Sequence, residues 1–205
     1  MKRLAILGAS GHGRVVADTA ELCGWESIVF YDDAYPGLAL NGNWVVAGTS
    51  EELMQHLETF DAVLVAIGHN RARLSKLEEL LSRGASVATL VHPTATISRY
   101  ASIGAGSVVF GGVVVNAYAQ IGMGCILNTL CSVDHDSVLA RAVHVSPGAH
   151  LAGGVRVGEA SWIGIGASIR QLIHIGDDVT IGAGAAVVRD VPDNIVAFGV
   201  PAHSE

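Results

Sequence analysis

From Val91 to Val187 every sixth residue is Ile, Leu or Val, without a gap. Four residues after each stands a mostly small residue: Ala95, Ala101, Ser107, Val113, Ala119, Cys125, Cys131, Ser137 and so on to Ala185. Glycine often follows the aliphatic residue, as in IGAG, IGMG and IGIG. A period of six suits neither an amphipathic helix nor an alternating strand. It is the hexapeptide pattern of a parallel β-helix, in which short strands turn at regular corners. Three hexads make one triangular coil, the aliphatic residues fill the prism and the small ones fit its corners. Residues 91–190 then form about five and a half coils, some 25 Å tall at the usual strand spacing. Residues one coil, or 18 positions, apart stack on one another.

The first 85 residues lack this rhythm. LAILGASGHGRVVADTAELCG reads as a buried strand, a glycine turn and a helix. SIVFYDD is a second strand ending in two carboxylates, and TSEELMQHLE opens a helix with Ser50 as its expected N-cap. DAVLVAIGHN is a third apolar strand, and RARLSKLEELLSRG a helix stopped by Gly84. Alternating strands and helices predict a small α/β domain with a parallel sheet. The expected division is 1–85 for that domain and 86–205 for the β-helix.

A chain of 205 residues, half of them hydrophobic and 15% charged, buries a real core and is no disordered chain. A net charge of −7 argues against nucleic acid or an anionic membrane as the main partner. The only lysines are Lys2 and Lys76, so an anionic ligand has to be held by arginines, backbone amides or helix ends. The apolar run inside MKRLAILGASGHG is short for a signal peptide, and no stretch approaches a membrane span. Cysteines 23, 125 and 131 are an odd number, and the expectation is a reduced, cytoplasmic protein.

Two stretches carry chemistry. Gly8, Gly11 and Gly13 lie between a strand and a helix, where backbone N–H groups and a helix N-terminus approach a phosphate. Their spacing is G-x-x-G-x-G, not the dinucleotide G-x-G-x-x-G, and no second mononucleotide-binding half is present. Phosphate or nucleotide-sugar binding is favoured over a nicotinamide, with a purely structural tight turn as the plain alternative. Asp32 and Asp33, about 20 residues further on, suit a ribose or a base. In SVDHDSVLARAVH, His135 stands between Asp134 and Asp136, and His144 follows half a coil later. The two histidines are therefore expected on different faces of one prism, where they do not easily meet within one subunit but could meet across a groove between two. Gly153, one coil after His135, is expected to leave room for a ligand beside the ring. Cys125 and Cys131 take small corner positions and read as core rather than nucleophiles. His150 and His174 read as surface residues and Asp134 as a solvated neighbour. Positions 135, 144, 150 and 174 fall at four different points round the coil, so no histidine triad for zinc converges and no metal is expected.

ILGASGHG, YDD, AIGHNRAR, the unbroken hexads, VDHDSVLARAVHVSPGAHLAGGVRVG and the closing GVPA together resemble one family. It comprises the bacterial sugar acetyltransferases with a small nucleotide-sugar domain before a left-handed β-helix. Its members include UDP-4-amino-sugar N-acetyltransferases of the bacillosamine pathway, perosamine N-acetyltransferases and sialic acid O-acetyltransferase-like proteins. The resemblance spans nearly all of residues 3–202. It implies a Rossmann-like first domain, the left hand of the β-helix, and acetyl-CoA-dependent transfer in a homotrimer with shared sites. His135 matches the general base, and Asp136 the carboxylate, often Glu, that orients it. His144 matches a second active-site histidine. Gly153 matches the donor of a backbone N–H to the thioester oxygen, and Ile165 and Gly184 match contacts to the pantetheine arm. Gly11, His12, Gly13, Asp32, Asp33, Asn70 and Arg71 match the nucleotide-sugar side. After GVPA stands His203, where Lys or Arg is common. The expected function is N-acetylation of a UDP-4-amino-4,6-dideoxy sugar by direct attack on the thioester. O-acetylation of a sialic acid or other sugar is the nearest alternative. A γ-type carbonic anhydrase-like metalloenzyme and a non-catalytic scaffold stand further off.

Overall fold

The computed structural model describes residues 2–204, in two compact units, one up to Leu90 and one from Val91. The first unit runs β1 (Arg3–Leu7), α1 (Gly11–Leu22), β2 (Ser27–Tyr31), β3 (Leu40–Asn41), β4 (Trp44–Gly48), α2 (Ser50–Gln55), β5 (Ala62–Val65) and α3 (Asn70–Ser82). Its sheet has the order β3-β4-β2-β1-β5, parallel throughout except for β3, which pairs antiparallel with β4. The central strands are continuous apolar runs because both faces are covered: Leu4, Ala5, Ile6 and Leu64 are fully buried. The β3–β4 hairpin is an addition to the strand–helix alternation read from the sequence. It turns through Gly42 and Asn43, with Gly42 at a φ of +67° that costs glycine little.

The cap of α2 lies one residue earlier than expected. Thr49, not Ser50, accepts the Glu52 N–H on its hydroxyl, and the Glu52 carboxylate accepts the Thr49 N–H at 2.7 Å. This capping box needs an acid at the third helical position, which Thr49 has and Ser50 lacks. Likewise α3 begins at Asn70, because the Nδ1 of His69 accepts the Ala72 N–H at 3.3 Å and caps it. A bridge between Val63 and Val87 holds the segment after α3 beside β5, and the contacts divide at Leu90.

The second unit is a β-helix of two-residue strands in three parallel sheets. One face carries the strands beginning at Leu90, Val108, Ile126, His144, Trp162 and Thr180, and is extended by Val196–Phe198 and the antiparallel His203–Ser204. The second face runs from Thr96–Ile97 to Ala186–Val187, and the third from Ser102–Ile103 to His174–Ile175. Pairing joins residues one coil apart, as in Ile126↔His144↔Trp162↔Thr180. The hexad aliphatics and the small corner residues form one buried column from Val109 to Ala197. Every sixth residue from Gly106 to Gly184 has a positive φ, which turns each corner. Among the described residues no helix is long and apolar enough to cross a membrane.

Candidate active site

His135 occupies a corner between the second and third faces, and Asp136 is the corner residue with φ 59°. Asp tolerates this conformation better than most residues. The turn thereby throws the carboxylate back onto the preceding imidazole: Asp136 Oδ2 lies 2.8 Å from His135 Nδ1. Asp is one methylene shorter than the Glu common in the resembling family, and its reach suffices. Asp134 is more than a solvated neighbour. Its Oδ1 accepts the His135 backbone N–H at 2.8 Å and the Asn116 side-chain amide at 2.9 Å.

The hydrogen bond to Asp136, with the charges of Asp134 and Asp136 behind it, raises the pKa of His135 above its ordinary value. Both side chains are more than 60% exposed, and a solvated pair of this kind contributes little to stability. Its consequence is chemical. With Nδ1–H given to the carboxylate, the lone pair of the neutral ring is on Nε2. That atom lies over Gly153. A Cβ built at position 153 stands 2.5 Å from both Nε2 and Cε1 of His135. The space freed by glycine is thus filled by the imidazole itself, a correction to the expectation of room for a ligand beside the ring. The Gly153 N–H donates to no acceptor among the described residues.

His144 lies on the first face, away from the His135 corner. Its Nε2 is 3.2 Å from Asn128 Nδ2, while Asn128 Oδ1 accepts the Thr129 N–H at 2.9 Å. The second contact orients the amide so that it donates to Nε2, which leaves the ring proton on Nδ1. One coil on, Trp162 stacks on the imidazole at 5.5 Å with 4° between planes, and its indole N–H donates to Ser146 Oγ at 2.6 Å. The sequence motifs do not single out Asn128, Ser146 or Trp162, although Trp162 is 18 residues from His144 and so stacks on it. Beside this stack runs an open groove of about 380 Å³, lined mainly by apolar groups from Pro147, Trp162, Gly164, Ile165, Gly182 and Ala183. Ile165, 56% exposed, offers its side chain there, and its carbonyl accepts the Gly184 N–H at 2.8 Å. A glycine-floored apolar groove next to a histidine fits the arm of a thioester cofactor. Among the described residues no His, Cys, Asp and Glu cluster to hold a metal.

In the first unit, Gly11 and Gly13 open α1, and Gly8 turns into it with φ +111°. A Cβ at Gly8 would stand 2.8 Å from the Ala66 carbonyl, so the turn after β1 abuts the segment after β5. Asp32 and Asp33, expected to face a ligand, bind the protein's own amides. Asp32 accepts the N–H groups of Ala9 at 2.7 Å and Ala34 at 3.0 Å. Asp33 accepts the Ser50 N–H at 2.8 Å, and hydrogen bonding to Ser50 lowers its pKa. Asp32 therefore ties the glycine turn to the end of β2. His12 has its pKa pushed down to about 4, by burial first and then by the charge of Arg73. Asn70 accepts Arg73 Nη2 at 2.8 Å, and Arg71, beside it, is exposed. Burial pushes the Cys131 thiol up to about 12, which rules it out as a nucleophile near neutral pH.

Residues 3–80 match the family model of the PglD N-terminal domain. The chain is 30% identical to a GDP-perosamine N-acetyltransferase of Escherichia coli O157:H7, over 97% of this chain and 84% of that protein. It is 42% identical to the acetyltransferase domain of PglB from Neisseria gonorrhoeae, solved in complex with acetyl coenzyme A, with 100% of this chain and 99% of that one covered at a TM-score of 0.92. PerB from Caulobacter crescentus, solved with CoA and GDP-perosamine, is 38% identical with a TM-score of 0.90, covering 100% of this chain and 98% of that one.

Proposed function

We propose, from the premise that this chain belongs to the nucleotide-sugar N-acetyltransferase family, that it acetylates the 4-amino group of a UDP-linked 4-amino-4,6-dideoxy sugar. It is an acetyl-CoA-dependent nucleotide-sugar N-acetyltransferase. The finer reading is carried by one observation: His135 Nδ1 is held by Asp136 while Nε2 lies over a glycine. Nε2 then takes a proton from the sugar amine as its nitrogen attacks the acetyl carbon. The C–S bond breaks, and the leaving sulfur takes up the proton that His135 holds, so that CoA leaves as the thiol and the imidazole is neutral again. General base catalysis of this kind typically contributes about 100-fold or more. The Gly153 N–H donates to the developing oxyanion in this reading, and His144, with its proton on Nδ1, is a second donor to the thioester. The groove at Ile165, next to Gly184, holds the pantetheine arm, and acetyl-CoA supplies the activated acyl group. Gly11, His12, Gly13, Asn70 and Arg71 take the nucleotide-sugar side, with Asp32 and Asp33 shaping the loops there.

Because His135 and His144 belong to different sides of one prism, a complete site needs two copies, and the assembly proposed is a homotrimer. Cytoplasmic bacillosamine-type glycan synthesis agrees with the resemblance to the UDP-4-amino-sugar enzymes. The test is thiol release from acetyl-CoA with UDP- and GDP-linked 4-amino sugars and with sugars offering only hydroxyls. The expected result is the highest kcat/KM for the UDP-amino sugar. Preference for GDP overturns the nucleotide assignment, and turnover of hydroxyl-only sugars alone overturns N-acetylation. Light scattering that gives a monomer contradicts the shared site.

A further inference from the structure

We infer that Arg73 is a positioning residue for the nucleotide diphosphate, fixing the loop after β5 on which that part of the substrate rests. The inference depends on reading the first unit as the nucleotide-sugar site. Arginine is seldom fully buried, yet Arg73 is 1% exposed. Its guanidinium donates from Nη1 to the carbonyls of Ile67 and Gly68, both at 3.0 Å, and from Nη2 to Asn70 Oδ1 at 2.8 Å. Ile67 and Gly68 belong to the segment joining β5 to α3, and Asn70 is the first residue of α3.

The topology gives that segment its meaning. From β1 the chain crosses through α1 to β2 on one side, whereas from β5 it crosses through α3 to Val87 on the other. Right-handed crossovers in opposite directions put α1 and α3 on opposite faces of the sheet. The carboxyl ends of β1 and β5 are then the switch point where such sheets bind ligands. The glycine turn with His12 follows one strand, and the loop held by Arg73 follows the other. Arg73 bears on both. It binds Asn70 directly, and its charge is close enough to His12 to oppose a proton there. In a chain with only two lysines, a fixed cation at this point also favours a diphosphate.

The planar fork of arginine reaches three acceptors at once, which a lysine ammonium does not reproduce. Arg73→Lys keeps the charge and loosens the loop. Steady-state kinetics of this variant, with the nucleotide sugar and acetyl-CoA varied in turn, test the inference. The KM for the nucleotide sugar is expected to rise about 10-fold, with that for acetyl-CoA nearly unchanged. Arg73→Met, which also removes the charge, is expected to weaken the nucleotide sugar further. An unchanged nucleotide-sugar KM in Arg73→Lys overturns the inference. So does a parallel rise in both KM values with a lowered melting temperature, the mark of a merely structural role. Calorimetry of the wild-type chain with UDP and with GDP separates this failure from that of the underlying reading. If neither binds, the nucleotide assignment falls and takes the inference with it; if one binds equally well to wild type and Arg73→Lys, only the inference falls.

Discussion

Gly153→Ala adds one methyl group 2.5 Å from His135 Nε2 and Cε1. Carbon and nitrogen atoms rest at about 3.5 Å or more, so the imidazole has to retreat by about 1 Å. The backbone does not resist the change, because Gly153 is absent from the residues with positive φ. Stability is therefore expected to change by less than about 1 kcal/mol, and the variant folds. A reacting group displaced by about 1 Å loses on the order of 100-fold in rate. That corresponds to about 2.7 kcal/mol of barrier. The assay is CoA thiol release under saturating acetyl-CoA and nucleotide sugar, with melting temperature as the control. Because alanine keeps the backbone N–H, any oxyanion contact from residue 153 survives, and the loss comes from His135 alone. The double-mutant cycle makes this strict: in a His135→Ala background the added Gly153→Ala should cost almost nothing. A Gly153→Ala enzyme within about 2-fold of wild type, or an undiminished loss in the His135→Ala background, refutes the reasoning.

Asp136→Asn removes the hydrogen-bonded charge that raises the His135 pKa. A base works only when neutral, so the acid limb of kcat/KM should move to lower pH, towards the ordinary value near 6.5; a limb that stays in place contradicts the role given to Asp136. His12 titrates at about 4 in the native state and at 6.5 when unfolded, so the unfolded chain binds more protons between these values. The contribution of His12 to stability is then constant above about pH 6.5 and falls by up to about 3 kcal/mol towards pH 4, a loss that His12→Gln should abolish in urea unfolding. The buried Cys131 should resist a thiol reagent in the native enzyme, and Cys131→Ala should keep kcat within about 3-fold.

The period of six carried the second unit because each hexad has one inward aliphatic and one tight corner, and nothing else satisfies both constraints. The same arithmetic placed His135 on Gly153 and, had it been applied to His144, would have placed Trp162 on that ring. What it missed depends on side-chain reach rather than on register. Asn128 lies 16 residues before His144 and finds it only through its amide. An arginine in a helix reads as solvated, whereas Arg73 is held by the carbonyls of Ile67 and Gly68 and by Asn70 Oδ1. Asp32 and Asp33 stand at the strand end that the pattern suggested, yet their oxygens meet backbone amides, because the turns around them leave N–H groups to be satisfied. Thr49 and Ser50 are both good caps, and Glu52 decides between them.

We propose that His135 takes the proton from the amine of a nucleotide sugar. Single-turnover acetyl transfer from acetyl-CoA to a UDP-4-amino-4,6-dideoxy sugar, in wild type and His135→Ala, tests it most directly, with the product identified by mass and NMR. The expected result is an amide at the sugar 4-position in wild type and a rate at least about 100-fold lower in the variant at neutral pH. Transfer at an unchanged rate in His135→Ala, or an ester in place of the amide, contradicts it.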